Sequence, residues 1–169
     1  MTFSPIGHRP TAAIRSRFTR LSPRRAHDAE WVEHALEGLA GAGYQRGAAR
    51  RSVIECLGRQ SCAVTAQQIE EELRRGGAGV GRASIYRTLE QLEELGLVHR
   101  LDLGTGVASF EAAPESGEHH HHLLCERCGR LVPFEDSGLE RAISNLSRRS
   151  DFEVAAHDVT LRGLCERCA

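Results

Sequence analysis

Four consecutive imidazoles, His119 to His122, stand just ahead of Cys125-Glu-Arg-Cys128, and the CxxC spacing returns at Cys165 and Cys168. Thiolate and imidazole are zinc donors, and a CxxC turn brings two sulfurs onto one ion. Two such turns supply a complete tetrahedral set: Cys125, Cys128, Cys165 and Cys168. A closed set leaves no open coordination position, so the expected role is structural zinc, tying the last residues back onto the first strand of their unit. The other reading, two redox-active dithiols, lacks the βαβ context of a thioredoxin-like motif. Cys56 falls in a helical pattern and reads as core.

Strand geometry sorts the histidines. Successive side chains of a strand point to opposite faces, so His119 and His121 face one way and His120 and His122 the other. One tract can therefore serve two metal sites. Glu140 on a following helix and His157 on the last strand are available to complete the first. His120 and His122 should look toward the preceding unit, where His99 and Glu111 are available. A solvated His-rich patch is the bland alternative; the paired CxxC and the distant carboxylate and imidazole weigh against it.

The elements that position these residues read as two units in 169 residues. Residues 1–27 hold six Arg and no acidic residue, and read as a disordered basic tail able to meet nucleic-acid phosphates. From Asp28, Trp31, Ala35, Leu36 and Leu39 follow a helical period, stopped by Gly41-Ala-Gly43. A second helix is expected over 47–58. A third follows Thr65, an N-cap with Gln68 three residues on. A fourth spans 82–95, with Ile85, Leu89, Leu92 and Leu95 as its seam and Gly96 just past its end. Strands at 97–101 and 107–111 make a two-stranded wing, so residues 28–111 read as a winged helix, a helix-turn-helix variant.

On that layout the helix from Arg82 is the recognition helix, exposing Arg82, Ser84, Tyr86 and Arg87 to phosphates and base edges of double-stranded DNA. Arg46 and Arg50, near the second helix, are candidates for the DNA backbone or a minor groove. Residues 112–118 read as a hinge. The unit 119–169 is a small α/β domain: strands over 119–125, 130–134 and 152–162, with a helix over 136–149 striped by Leu139, Ile143 and Leu146. The fold class is α+β. The edge of the second unit suits a homodimer, which suits palindromic DNA half-sites.

Charge agrees with this division. Residues 1–51 carry nine Arg against four acidic residues, and residues 82–169 ten against fifteen. A basic front meets a polyanion and an acidic back holds cations. No run is apolar enough to span a membrane, no secretory signal opens the chain, and cysteine arranged for metal implies a reducing, cytoplasmic setting.

These features resemble the ferric-uptake-regulator family: Ala83-Ser-Ile-Tyr86-Arg87-Thr-Leu89, the His119–His122 tract leading into Cys125-x-x-Cys128-Gly129, Glu140, and His157 eight residues before Cys165. The resemblance covers residues 29–168. It implies a homodimeric, metal-dependent winged-helix repressor of metal-homeostasis genes, with structural zinc on the four Cys and regulatory Zn2+ or Fe2+ elsewhere. By position, His119, His121, Glu140 and His157 match one family site, and His120 and His122 match part of the hinge site. Iron-sensing members resemble one another in a His just before the third helix, where this chain has Ala63, preceded by Cys62, and in a Glu where it has Pro133. Zinc-sensing members tend to place a ligand in the first wing strand, where His99 stands, and usually a Cys after the second, where this chain has Ala112-Ala113. The set His99, Glu111, His120, His122 inclines the reading to zinc, with iron as the alternative; the peroxide-sensing branch resembles an Asp at the position of Glu111. Of other classes, a metal-dependent hydrolase would need an open metal and a substrate pocket, and neither a nucleophile nor a small-molecule substrate is signalled. A zinc-buffering protein would have no use for the basic recognition helix.

Overall fold

The computed structural model describes residues 28–104, 106–113 and 120–169; the expected basic tail, most of the expected hinge and His119 lie outside the described residues. The first unit runs α1 (Asp28–Gly41), α2 (Ala48–Gly58), β1 (Val64–Thr65), α3 (Ala66–Arg75), α4 (Arg82–Glu94), β2 (Val98–Asp102) and β3 (Ala108–Ala112). The second runs β4 (His121–Cys125), β5 (Leu131–Phe134), α5 (Ser137–Arg149) and β6 (Thr160–Gly163). The fold is α+β, a winged helix followed by a small α/β unit.

Local chemistry sets the helix ends. Thr65 and Gln68 form a reciprocal capping box: the Gln68 amide donates to Thr65 Oγ1 at 3.2 Å and the Thr65 amide to Gln68 Oε1 at 2.8 Å. Helix α4 ends where Gly96 takes φ 67° and the Leu97 amide reaches back to the Leu92 carbonyl at 2.8 Å, a left-handed stop that favours glycine. Because the helix closes at Glu94, Leu95 is exposed rather than part of the expected seam. Thr88 lies in the buried face instead, its hydroxyl satisfied by the Ser84 carbonyl at 2.8 Å.

The core of the first unit joins Trp31, Leu39, Val53, Ile54, Leu57, Ile69, Ile85, Leu89 and Leu92 with Val98 and Phe110 of the wing. Each such buried aliphatic side chain stabilises the fold by about 1.5–3 kcal/mol relative to exposure. Trp31 also donates its indole N–H to the Leu97 carbonyl at 3.2 Å, fixing α1 to the root of the wing. The wing sheet has the order β1-β3-β2, with Val64 opposite Phe110 on one side of β3 and His99 opposite Glu111 on the other. The two-residue β1 makes β3 the central strand, which a two-stranded wing did not foresee.

In the second unit β4 is central, antiparallel to β5 and parallel to β6. The strand expected over 152–162 contracts to four residues at its end, because only Thr160 to Gly163 find partners on β4. Among the described residues after 119, the buried apolar side chains are Leu124, Cys125 and Phe134, while Leu146, Phe152, Val154, Leu161 and Leu164 are exposed. That is little core for a unit of this size, and metal or a partner surface must supplement it.

Candidate functional site

The four thiols converge. Sγ atoms of Cys125, Cys128, Cys165 and Cys168 all lie within 4.8 Å of one another, and Cys128 is 3.8 Å from Cys165. Tetrahedral zinc with bonds of about 2.3 Å separates its sulfurs by about 3.8 Å, so the donor set fits that ion. The first knuckle turns at Gly129, whose φ of 69° is a left-handed value, and its amide donates to the Cys125 carbonyl at 2.9 Å. The Cys165 amide donates to Cys125 Sγ at 3.4 Å. That bond and those from the Cys128 and Arg127 amides outweigh burial and hold the Cys125 thiol down to about 6. Cys168, crowded first by Cys128 and then by burial and the other sulfurs, is pushed up to about 12. Burial resists ionisation of Cys165, but the Arg167 amide and neighbouring sulfurs lower that thiol as well. Thiolates at Cys125 and Cys165 are thus favoured while one at Cys168 is resisted, a conflict that a divalent cation removes.

The histidines divide by face. Next to β4, His120 points to the wing: its Nε2 lies 2.7 Å from Oε1 of Glu111, on β3, and Nε2 of His122 lies 3.4 Å from Oε2 of the same carboxylate. All three tract histidines described, His120, His121 and His122, are buried. On the opposite face His121 Nε2 lies 2.7 Å from Glu140 Oε1, and His157 Nε2 lies 3.1 Å from Glu140 Oε2. Asp136 fixes Glu140 in the first turn of α5 by accepting the Leu139 amide at 2.8 Å. One ligand atom each from His121, Glu140 and His157 falls within a 4.8 Å cluster.

The wing-facing cluster has a member that sequence reasoning did not include. Cys62 joins His120 and His122 with ligand atoms within 4.8 Å. Residues 62–63 lead directly into β1, which pairs with β3 beside Phe110, so Cys62 enters from the β1 side of Glu111. Burial first, then the Glu111 charge, pushes the Cys62 thiol up to about 12 against the opposing Ala63 amide. Burial also acts to raise Glu111, but hydrogen bonds and charge from His120 and His122 outweigh it and hold the carboxyl at about 2. The result is a buried cluster of a thiol and two imidazoles, with the ionised Glu111 carboxylate against both imidazoles, a donor set that fits zinc.

His99 is a correction. It lies opposite Glu111 on β2, but it is exposed and is not among the residues whose ligand atoms cluster, Cys62, His120 and His122. The sequence signal for Cys62 was its place one residue before Ala63, the position where iron-sensing relatives resemble one another in a His.

Of the residues expected to meet DNA, Arg82, Ser84, Tyr86 and Arg87 are exposed along the first turns of α4, and Arg46 is exposed before α2. Arg50 is a second correction: it is half-buried, donating to the Gln45 carbonyl and, at 3.0 Å, to Gln91 Oε1 on α4, with its guanidinium 5.7 Å from the Tyr44 ring centre. It braces α2 against α4 instead of projecting outward.

The two units also touch where the Arg162 guanidinium of β6 packs on Gly104 in the wing turn. Gly104 has φ 64°, a left-handed value that favours glycine, while the contact itself is with the flexible end of the Arg162 side chain. Among the described residues no helix is long and apolar enough to cross a membrane.

Residues 41–162 match the model of the Ferric uptake regulator family. A ferric uptake regulation protein of Legionella pneumophila is 35% identical over 105 residues, covering 62% of this chain and 76% of its own. One of Bacillus subtilis is 38% identical over 90 residues, covering 53% and 60% respectively. The crystal structure of the Vibrio cholerae ferric uptake regulator, described as showing rearrangement of its DNA-binding domains, superposes with a TM-score of 0.69 at 28% identity, covering 76% of this chain and 98% of that one. The chain is a metal-binding, DNA-binding transcriptional regulator and not an enzyme: it belongs to the ferric uptake regulator family.

Proposed function

We propose that this regulator is a zinc-responsive repressor of metal-homeostasis genes, acting in the cytoplasm as a homodimer on double-stranded operator DNA. The observation that carries the reading is the junction at Glu111: a carboxylate of the wing strand β3 clasped by His120 and His122 of the second unit, with Cys62 beside them. Cys62 and Glu111 belong to the winged helix, while His120 and His122 belong to the α/β unit. A divalent cation held by all four supplies the positive charge that lets a thiolate and a carboxylate share one buried pocket. Common ligation fixes the wing against the second unit, and only that arrangement brings the four donors together. Ligand binding then shifts the population toward the arrangement by its differential affinity.

Zinc is favoured over iron by the thiol, since soft thiolate donors select zinc while imidazole and carboxylate serve either metal. Iron is the second reading, because the relatives above are named for ferric uptake. Cys125, Cys128, Cys165 and Cys168 are assigned to structural zinc, and His121, Glu140 and His157, with His119, to a further site in the α/β unit. The homodimer is supported by the outward apolar residues of that unit, Phe152 and Leu146 above all, at 74% and 62% exposure. Arg82, Ser84, Tyr86 and Arg87 are assigned to the major groove and Arg46 to the backbone.

The test is DNA selection followed by operator binding under buffered zinc, iron and nickel. His120→Ala is expected to abolish the metal dependence while leaving a folded dimer with its Cys-bound zinc. A variant that keeps the wild-type metal dependence would sink the hinge reading.

A further inference from the structure

Arg82 opens α4, and its side chain is not loose. Nε and Nη2 both donate to Oε2 of Glu70 on α3, at 2.9 and 2.7 Å. The carboxylate is the more enclosed partner, at 25% exposure against 65% for the guanidinium. Glu70 therefore grips the inner edge of the fork. A guanidinium has five N–H donors in a rigid plane. With the Nε edge occupied, the outer edge still offers both hydrogens of Nη1 and the second hydrogen of Nη2. That edge has the spacing that meets O6 and N7 of guanine. Among the described residues no hydrogen bond engages Nη1.

In a helix-turn-helix reader, the N-terminal residues of the second helix contact base edges while the first helix crosses the backbone. Arg82 is the first residue of α4, and Tyr86, one turn on, shares its exposed side. We propose that Glu70 is a positioning residue that holds Arg82 to read one guanine per half-site, so that a residue of α3 with no base contact sets part of the operator sequence. The inference rests on the reading of α4 as the DNA-recognition helix. The ion pair removes side-chain rotamers before DNA arrives, so the cost of ordering Arg82 falls on folding rather than on recognition. The fixed carboxylate also places a negative charge beside the guanidinium, where a phosphate would otherwise be drawn, and this favours a base edge over the backbone.

The experiment is selection from a randomised duplex library with the zinc-loaded full chain, for the wild type, Arg82→Ala and Glu70→Gln, followed by salt-dependent affinities on the selected site. Arg82→Ala is expected to lose the guanine preference at one position of each half-site, by about 5- to 150-fold, the discrimination typical of one bidentate pair. Glu70→Gln, which keeps shape and removes charge, is expected to weaken preference at that same position while non-specific binding stays level or rises. A uniform loss across all sequences in Arg82→Ala, with the salt slope reduced by about one, would mark a phosphate contact and overturn the proposal. Unchanged base preference in Glu70→Gln would overturn it as well. If the wild type enriched no motif at all, the reading of α4 would fall, and that outcome is distinct from the other two.

Discussion

Cys62→Ser isolates the residue that most separates a zinc site from an iron site here. Without a cation the Cys62 thiol is held near 12 by burial and the Glu111 charge, so at neutral pH it carries its proton. Ligation requires the thiolate, and binding must therefore displace one proton from this group. Between about pH 7 and about pH 8 the thiolate fraction rises about tenfold, which makes zinc binding about tenfold tighter from Cys62 alone, or about 1.4 kcal/mol. Serine has no comparable titration and removes that decade. Whatever the two proteins share cancels in the comparison. The assay is chelator competition for the hinge site at the two pH values, with the four-cysteine site already filled. Wild type minus variant should leave a slope of about one decade per pH unit, and cobalt added to the wild-type hinge site should show a sulfur-to-metal charge-transfer band absent from the variant. Equal slopes and equal spectra would refute Cys62 as a ligand, whatever the metal response of the DNA-binding activity.

Three further outcomes are expected. Cys125→Ser should lose one tightly held zinc by elemental analysis and unfold at lower temperature, since a unit with so little buried apolar surface leans on its metal; unchanged zinc content would contradict the structural site. His99→Ala should leave hinge-site affinity unchanged in the same competition assay, because the side chain is exposed and outside the cluster; a tenfold loss would restore it as a ligand. Thr65→Ala removes the hydroxyl that accepts the Gln68 amide at the start of α3, while the backbone arm to Gln68 Oε1 survives, and should cost about 1 kcal/mol in chemical denaturation, with metal binding measured on the folded fraction unaffected.

What the sequence made legible, and what it hid, follows from the range of the forces involved. Capping of α3 by Thr65 and Gln68 and the stop at Gly96 depend on residues within a turn of each other, and both stand where the spacing put them. Alternation along β4 is equally local: it sends His121 to Glu140 and sets His120 and His122 against Glu111. What alternation does not contain is which neighbour of β3 the tract will meet. His99 and Cys62 flank Glu111 from opposite edges of the sheet, and β1, at two residues, carries no periodic signal. Only the closed wing, with β3 central, decides between them. The same limit explains Arg50, whose charge pattern matched a DNA contact but whose guanidinium is held by Gln91, 41 residues away in sequence. Ligand identity at the junction of two units is thus a tertiary property even where each ligand's face is a secondary one. A single cysteine beside an expected histidine position can join the cluster while every local pattern around it stays the same.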